Sequence, residues 1–216
     1  MWLHVDAAWA GTAMILPEYQ WMSAGLEKAH SFVFNPHKWM FTNFDCSAYF
    51  VKDPDILLKT FALVPEYLKT GTVGVRNYSD WGIQLGRRFR ALKLWFVLRN
   101  FGTEGLRKKV AEHIAWGKEI AEKVDQHPDF QLMTPAPLGV VCFRYYPKSE
   151  GTDYNQLNRR LLDVINQSGK LYITHTIVND TYLLRFVVGQ TYQLKQDIEK
   201  AWALIQETAA GLRSKS

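Results

Sequence analysis

The sequence predicts an α/β region followed by a small α+β region. In the first hundred residues, short apolar runs end in polar turns, which is typical of strands in a sheet covered on both faces. After residue 100, amphipathic helical segments alternate with apolar strand-like runs. The chain has 216 residues, 47% of them hydrophobic and 22% charged. This composition excludes a disordered tail, a fibre and a disulfide-stapled miniprotein.

Three strands are predicted in the first region, at residues 2–5, 31–34 and 46–51. Segment 17–29 is long enough for a short helical crossover between the first two, so these two strands should run parallel. Three strands with few helices cannot cover both faces of a parallel sheet. We therefore expect further strands of this sheet to precede the first one.

The end of the first region combines an irregular segment with a helix. Residues 63–80 mix Pro, Gly, Thr and Asn without any period, and such long loops are usually functional, so we predict a lid here. Apolar residues then recur at helical spacing over 85–100, and Gly102 is a suitable helix stop. Domain boundaries are accordingly predicted at 1–100 and 101–216.

The second region alternates helices and strands. The predicted elements are helices at 103–126, 154–167 and 194–211 and strands at 130–133, 140–145, 172–176 and 182–188.

Charge and cysteine content exclude several classes of function. The net charge is +5, but basic residues are interleaved with acidic ones, which argues against nucleic-acid binding. No apolar run is long enough to span a membrane, and the start lacks the order of a signal peptide. Cys46 and Cys142 lack the spacing of metal ligands, so we expect no metal site. Two cysteines without a disulfide framework are typical of a reducing compartment, so we expect a cytoplasmic location.

An acidic and an amino side chain follow the first two predicted strands. Asp6 ends the first strand, and Lys38 lies just past the second. Because the carboxyl ends of parallel strands meet at one edge, both groups should face one crevice, where ligands bind in open α/β sheets. A surface salt bridge is the ordinary alternative for such a pair.

The neighbours of Lys38 favour a chemical role. They are largely apolar, so we expect the amine to be partly desolvated and therefore reactive. Pyridoxal phosphate is the cofactor that combines a lysine Schiff base, a carboxylate on its ring nitrogen and a phosphate site. Asp6 would hold the ring nitrogen protonated, Asn35 could contribute to phosphate binding, and the small residues 7–8 would leave space for a flat ring.

Several motifs resemble the group II pyridoxal-phosphate decarboxylases, particularly the aromatic-L-amino-acid decarboxylases. They are HVDAAWAG at 4–11, NPHKW at 35–39, NFDC at 43–46, PEYLK at 65–69, LGRRFRALK at 85–93, GVVCFR at 139–144 and LRF at 184–186. The resemblance covers essentially the whole chain. It implies the C-terminal part of a fold-type I (aspartate aminotransferase-like) large domain followed by a small α+β C-terminal domain.

The resemblance also implies roles for individual residues. Lys38 would form the Schiff base with pyridoxal 5′-phosphate, and Asp6 would pair with the ring nitrogen. Ala8 would lie against the ring, while Asn35 and His37 would contribute near the phosphate.

Tyr67, within the predicted lid, matches the tyrosine of the family's catalytic loop. There it would protonate Cα after carbon dioxide leaves. Relatives that make aldehydes commonly carry Phe at this place, so Tyr67 favours amine formation. The implied reaction converts L-aromatic amino acids (DOPA, tyrosine, tryptophan or phenylalanine) to arylalkylamines and carbon dioxide.

Segment 86–90 carries two further features. Gly86 could leave space beside the substrate ring. The neighbouring Arg87, Arg88 and Arg90 oppose the dipole at the start of the predicted helix, so we expect acidic partners from another subunit or from a preceding segment.

Alternatives to this function remain open. The family's large domain has a long portion before the HVD strand that this chain does not contain, so the chain alone could be weakly active or inactive. Because family members are homodimers, it could act only as a non-catalytic fragment in dimer assembly. A decarboxylase of an acidic amino acid is a third possibility.

Overall fold

The computed structural model describes residues 1–62, 77–149 and 151–213. The chain divides into two compact units, Met1–Leu106 and Arg107–Ser216. Among the described residues, no helix combines the length and apolar character needed to cross a membrane.

The first unit contains a three-stranded sheet. Its strands are β1 (His4–Asp6), β2 (Ser31–Phe34) and β3 (Ala48–Val51), in the order β1-β2-β3. β1 and β2 are parallel, as predicted, whereas β3 runs antiparallel to β2. The expectation that these strands are buried on both faces is wrong for β1, where His4 and Asp6 are exposed, and for β3, whose central residues Tyr49 and Phe50 are 49% and 56% exposed.

Short 3₁₀ helices form the crossover from β1 to β2. They span Ala10–Ile15, Pro17–Ser23 and Leu26–Lys28, so the predicted helical segment is present in 3₁₀ form and begins earlier. Gly11 allows the first of them to approach β2, because an added Cβ would lie 2.6 Å from Cβ of Phe34.

Two short α-helices accompany the sheet. Helix α1 (Pro36–Trp39) directly follows β2, with proline at its first position, where a missing N–H costs nothing. Helix α2 (Pro54–Phe61) follows β3 and is capped by Asp53, whose side chain accepts a hydrogen bond from the Asp55 N–H.

Helix α3 (Arg90–Gln126) contains the predicted break. Gly102 has φ 64° and ψ 174°, a conformation that favours glycine and interrupts the helix where the sequence predicts a stop. The helix begins at Arg90 instead of residue 85. A 3₁₀ turn at Tyr78–Trp81 precedes it in the first unit.

The second unit is a four-stranded antiparallel sheet accompanied by helices. The remaining elements are β4 (Phe130–Leu132), β5 (Val140–Tyr145), α4 (Tyr154–Gln167), β6 (Thr174–Val178), β7 (Thr181–Val187) and α5 (Lys195–Arg213). The strand order is β4-β5-β7-β6. β5 and α4 have the bounds that the sequence predicts, and the other elements differ by one or two residues at their ends.

One continuous apolar core holds the second unit together. Alternate residues of β5 are buried, as expected for a strand with one face on the core. Asn158 of α4 is fully buried among these side chains, and its amide both accepts from the Tyr145 N–H (2.8 Å) and donates to the Tyr145 carbonyl (2.9 Å). Its polar atoms therefore cost little to bury.

Candidate active site

The predicted acid and amine both follow the carboxyl ends of neighbouring parallel strands. Asp6 is the last residue of β1 and pairs in register with Val33 of β2. Lys38 lies five positions further along, in α1. The topology therefore brings both residues to the same edge of the sheet, as the sequence predicts.

The Asp6 carboxylate is held at this edge by the chain that follows it. Its Oδ1 accepts a hydrogen bond from the Ala8 N–H at 2.9 Å. The Ala7 N–H continues the β1–β2 pairing with a bond to the Val33 carbonyl at 2.9 Å. Ala7 is buried, Ala8 is half-buried and Asp6 is exposed. The two small alanine residues, fixed by backbone hydrogen bonds, therefore lie beside the accessible Asp6 carboxylate.

The expectation that Lys38 is desolvated is wrong for this chain, because its side chain is exposed. In α1, Pro36 and Trp39 are three positions apart and both buried, so they share the inner face of the turn. Lys38 falls on the other face of the turn, away from buried Pro36 and Trp39. Within the part of the chain that the structure describes, no ion pair joins Lys38 to Asp6.

Asn35 and His37 contact the loop of residues Asn43–Ser47, which leads into β3. The Ser47 hydroxyl donates to Oδ1 of Asn35 at 2.6 Å. Nδ1 of His37 accepts from the Cys46 N–H at 3.0 Å, and the His37 N–H donates to the Cys46 carbonyl at 3.1 Å. Both side chains therefore fix the turn that carries Lys38.

Asp45 is a site residue that the sequence analysis did not identify. Its carboxylate forms ion pairs with the guanidinium groups of Arg88 and Arg90, the latter at 2.9 Å. The hydrogen bond from Arg90 is the main cause that lowers the pKa of Asp45, and burial opposes it. The sequence predicted acidic partners for these arginines from outside the chain. The actual partner lies about forty positions earlier in the chain, a separation that no local pattern reveals.

The cysteine of this loop is buried. Its thiol lies 3.8 Å from the carbonyl oxygen of Arg90, and burial raises the pKa of Cys46. Among the described residues, no group of three or more His, Cys, Asp or Glu side chains could hold a metal ion.

Two predicted site residues remain to be placed. Tyr67 lies outside the described residues, together with most of the predicted lid at 63–80. Gly86 is exposed, and an added Cβ would meet no atom within 4 Å. Its neighbours Leu85 and Arg87 line a groove together with Asp45 and Ser47, but Gly86 itself does not.

A comparison with protein families identifies the class. The family described as pyridoxal-dependent decarboxylase conserved domain matches residues 1–146, and the chain belongs to this family. Pyridoxal phosphate, the cofactor predicted from Asp6 and Lys38, is the cofactor of this class.

Two individual relatives are named as enzymes of the aromatic amino acid decarboxylase class. The chain is 45% identical to phenylacetaldehyde synthase of Arabidopsis thaliana over 219 residues, which are 100% of this chain and 45% of that protein. It is 41% identical to tyrosine decarboxylase 1 of Narcissus pseudonarcissus, covering 100% of this chain and 44% of the relative. The chain thus spans less than half the length of these relatives.

Solved structures agree with this comparison. Oryza sativa TDC, solved with PLP and tryptamine, superposes with a TM-score of 0.90 at 35% identity, covering 98% of this chain and 45% of that one. Tryptophan decarboxylase of Catharanthus roseus, in complex with L-tryptophan, gives a TM-score of 0.87 at 36% identity over the same shares. The predicted fold-type I decarboxylase fold is confirmed.

Proposed function

We propose that this chain carries the cofactor-binding lysine and the ring-nitrogen carboxylate of a pyridoxal-phosphate-dependent decarboxylase of L-aromatic amino acids. The products are an arylalkylamine and carbon dioxide. The observation that carries the proposal is the position of Asp6 and Lys38 at the carboxyl ends of adjacent parallel strands, within a chain of this family.

The residues at the sheet edge fit this cofactor. A flat ring with a carbonyl at one end needs an amine that can reach it, and the Lys38 side chain is exposed and not ion-paired to Asp6 within the described residues. A pyridine nitrogen needs an accessible carboxylate, which Asp6 provides, fixed by the Ala8 N–H. The alanine side chains at 7 and 8 leave room for the ring.

When bound, pyridoxal phosphate supplies an electron sink for the electron pair released as the carboxylate leaves. The residues of this chain make that chemistry possible in separate ways. The Lys38 amine would hold the cofactor at its carbonyl carbon. Asp6 holds a proton on the ring nitrogen, since a carboxylate beside it favours the charged form. Tyr67 returns a proton to Cα of the substrate.

The two compact units support a domain assignment. We assign 1–100, with a catalytic loop at 63–80, to the C-terminal part of the cofactor-binding large domain, and 101–216 to the small C-terminal domain. The units at Met1–Leu106 and Arg107–Ser216 are consistent with it. A cytoplasmic homodimer completes the proposal. Unit 1 exposes large apolar side chains, such as Phe89, Trp95 and Phe96, which suit contact with a second subunit or with a preceding part of the large domain.

Trapping the lysine tests the site. The purified chain is mixed with pyridoxal phosphate, reduced with borohydride and digested, and mass spectrometry locates the modified lysine. We expect preferential modification at Lys38, lost in Lys38→Arg and retained in Lys28→Arg, a matched change at another exposed lysine. Modification spread over surface lysines without preference for Lys38 would refute the assignment.

The substrate class has its own test. Carbon dioxide release is measured with L-tyrosine, L-tryptophan, L-phenylalanine and L-DOPA against L-glutamate. The proposal expects release from at least one aromatic substrate and none from glutamate, as the aromatic relatives of 41–45% identity support. Preference for glutamate would favour an acidic-amino-acid decarboxylase. Modification at Lys38 without turnover of any substrate would favour the assembly fragment.

The reaction product depends on Tyr67. Relatives named as decarboxylases and as aldehyde synthases both match this chain, so similarity alone does not choose the product. We expect the amine from the unchanged protein and a fall in the amine-to-aldehyde ratio for Tyr67→Phe, which lacks the proton to donate. Chromatography of the products measures this ratio, with Tyr78→Phe as the control. An unaltered ratio in Tyr67→Phe removes Tyr67 from the mechanism.

A further inference from the structure

Asp45 joins two parts of the first unit that are distant in sequence. It lies in the Asn43–Ser47 loop, between the turn that carries Lys38 and the segment that begins α3. We propose that Asp45 is a positioning residue that holds the Lys38 turn through this loop. The proposal rests on the proposed function, in which Lys38 is the cofactor-binding lysine.

On the α3 side, three cationic groups converge on this loop. Arg88 and Arg90 each bind one oxygen of the Asp45 carboxylate. The Lys93 amine donates to the backbone carbonyls of Asn43 and Asp45, both at 2.8 Å. Side-chain and backbone oxygens of one short loop are therefore bound by three basic residues around the start of one helix, at positions 88, 90 and 93.

On the other side, the residues next to Asp45 bind the Lys38 turn. Cys46 exchanges hydrogen bonds with the backbone and ring of His37, and Ser47 binds Asn35. Asn35 and His37 lie on either side of Pro36 in the segment that ends in Lys38. A displacement of Asp45 would therefore move its neighbours Cys46 and Ser47, and through their hydrogen bonds it would move the turn that carries Lys38.

The ion pair of Arg90 and Asp45 is more buried than an ordinary surface ion pair. The side chains of Arg90 and Asp45 are 25% and 28% exposed, and Cys46 beside them is buried, whereas the side chain of Arg88 is 69% exposed. In unit 2, the pair of Lys195 and Glu119 has side chains 52% and 41% exposed, so solvent screens it more. A carboxylate shared between two guanidinium groups also prevents their mutual repulsion, which its removal would release.

The test compares Asp45→Asn with Asp45→Glu and with Asp55→Asn, a control at an exposed aspartate of α2. Two readouts are used: borohydride-trapped modification of Lys38 relative to the exposed Lys59, and hydrogen exchange of residues 35–41. For Asp45→Asn we expect relative modification of Lys38 to fall roughly tenfold, within the ~100-fold that a 1 Å misplacement can cost. Exchange at 35–41 should rise, and Asp45→Glu should restore both readouts in part.

The outcomes separate this proposal from the proposed function. If the unchanged chain shows no preference for Lys38, the proposed function fails, while exchange at 35–41 still decides whether Asp45 holds the turn. If Lys38 is preferred but Asp45→Asn alters neither readout, only the positioning role is overturned. Should Asp45→Asn lose cooperative melting, Arg88→Gln, which removes one of the two ion pairs, must give a smaller change in the same direction.

Discussion

The two units of this chain differ in how far their apolar side chains are buried. Most buried apolar residues of unit 2 form one cluster, to which β4, β5 and β7 contribute, although Tyr172, Ile177 and Tyr192 are exposed. Unit 1 leaves large apolar residues accessible, including Ile83 at 91%, Phe89 at 73% and Phe96 at 57%. Its buried residues include several small ones, such as Ala7, Ala13 and Ala29.

The residues that stabilise the fold and the residues predicted to carry the chemistry therefore lie mainly in different units. Apolar burial contributes roughly 25 cal/mol per Å², so the continuous core of unit 2 supports its fold from within. The chemical groups Asp6 and Lys38 lie in unit 1, at an exposed edge of a small sheet. We therefore expect substitutions to affect stability mainly in unit 2 and cofactor chemistry mainly in unit 1.

The largest expected effect is loss of a core aromatic residue from unit 2. Phe143 is fully buried and contacts Phe130 and Trp202, so Phe143→Ala should lower the free energy of unfolding by about 3–5 kcal/mol. Phe89→Ala, at an exposed position of unit 1, should change it by less than ~0.5 kcal/mol. Urea denaturation followed by hydrogen exchange of each unit measures both; similar costs would contradict the comparison.

A buried histidine should make the stability of unit 2 depend on pH. His113 is 1% exposed, and burial, aided by the charge of Lys109, lowers its pKa from 6.5 to about 4. The unfolded chain therefore binds a proton more readily than the folded one. The stabilising effect is complete above pH 6.5 and is lost as pH falls towards 4, a total of roughly 3 kcal/mol.

Denaturation of the unchanged chain and of two variants between pH 7 and pH 4 tests this. His113→Gln should flatten the pH dependence, whereas His175→Gln, at an exposed position of β6, should leave it intact. Equal slopes for all three proteins would assign the dependence to other groups.

The sequence predicts the elements of unit 2 better than those of unit 1 for a physical reason. In unit 2 the hydrophobic period and the burial agree, so β5 and α4 have their predicted bounds. In unit 1, residues 85–89 continue the apolar period of α3 but are exposed, and the helix begins only at Arg90. Period alone cannot locate a helix start where no core selects the apolar face.

A close contact between two glycines provides the next test of unit 2. A Cβ on Gly117 would lie 2.6 Å from Cα of Gly139, whose φ of 73° and hydrogen bond from the Val188 N–H hold that backbone in place. Gly117→Ala should therefore destabilise by about 1–3 kcal/mol. Gly211→Ala, in α5 with no atom within 4 Å of the new Cβ, should stabilise by up to ~1 kcal/mol. Thermal unfolding should show shifts of opposite sign; a shared sign would mean that helix propensity or packing has been misjudged.

The sequence predicted those features of the site that depend on neighbouring residues and strand order, but not those that depend on burial or long-range contacts. Asp6 and Lys38 could be inferred because each follows an apolar run, and parallel pairing brings strand ends together. The exposure of Lys38 could not, because its apolar neighbours in sequence lie on the opposite face of α1. The ion pairs of Asp45 with Arg88 and Arg90 join residues that are distant in sequence. The sequence analysis could therefore single out the arginines but not their acidic partner.

The smallest expected effect compares the two aspartate caps. Asp153 accepts hydrogen bonds from two N–H groups at the start of α4, a helix with four buried residues. Asp53 accepts one at the start of α2, which has none. We expect Asp153→Ala to lower the stability of unit 2 by about 1 kcal/mol and Asp53→Ala to lower that of unit 1 by about 0.5 kcal/mol.

Hydrogen exchange of each helix separates local from global loss of structure. Because α4 packs into the core of unit 2, loss of the Asp153 cap should raise exchange across the whole unit. Loss of the Asp53 cap should raise exchange in α2 alone, since α2 buries no residue that would transmit the change. If Asp53→Ala instead raises exchange throughout unit 1, that unit folds as cooperatively as unit 2, and its exposed apolar surface does not weaken it.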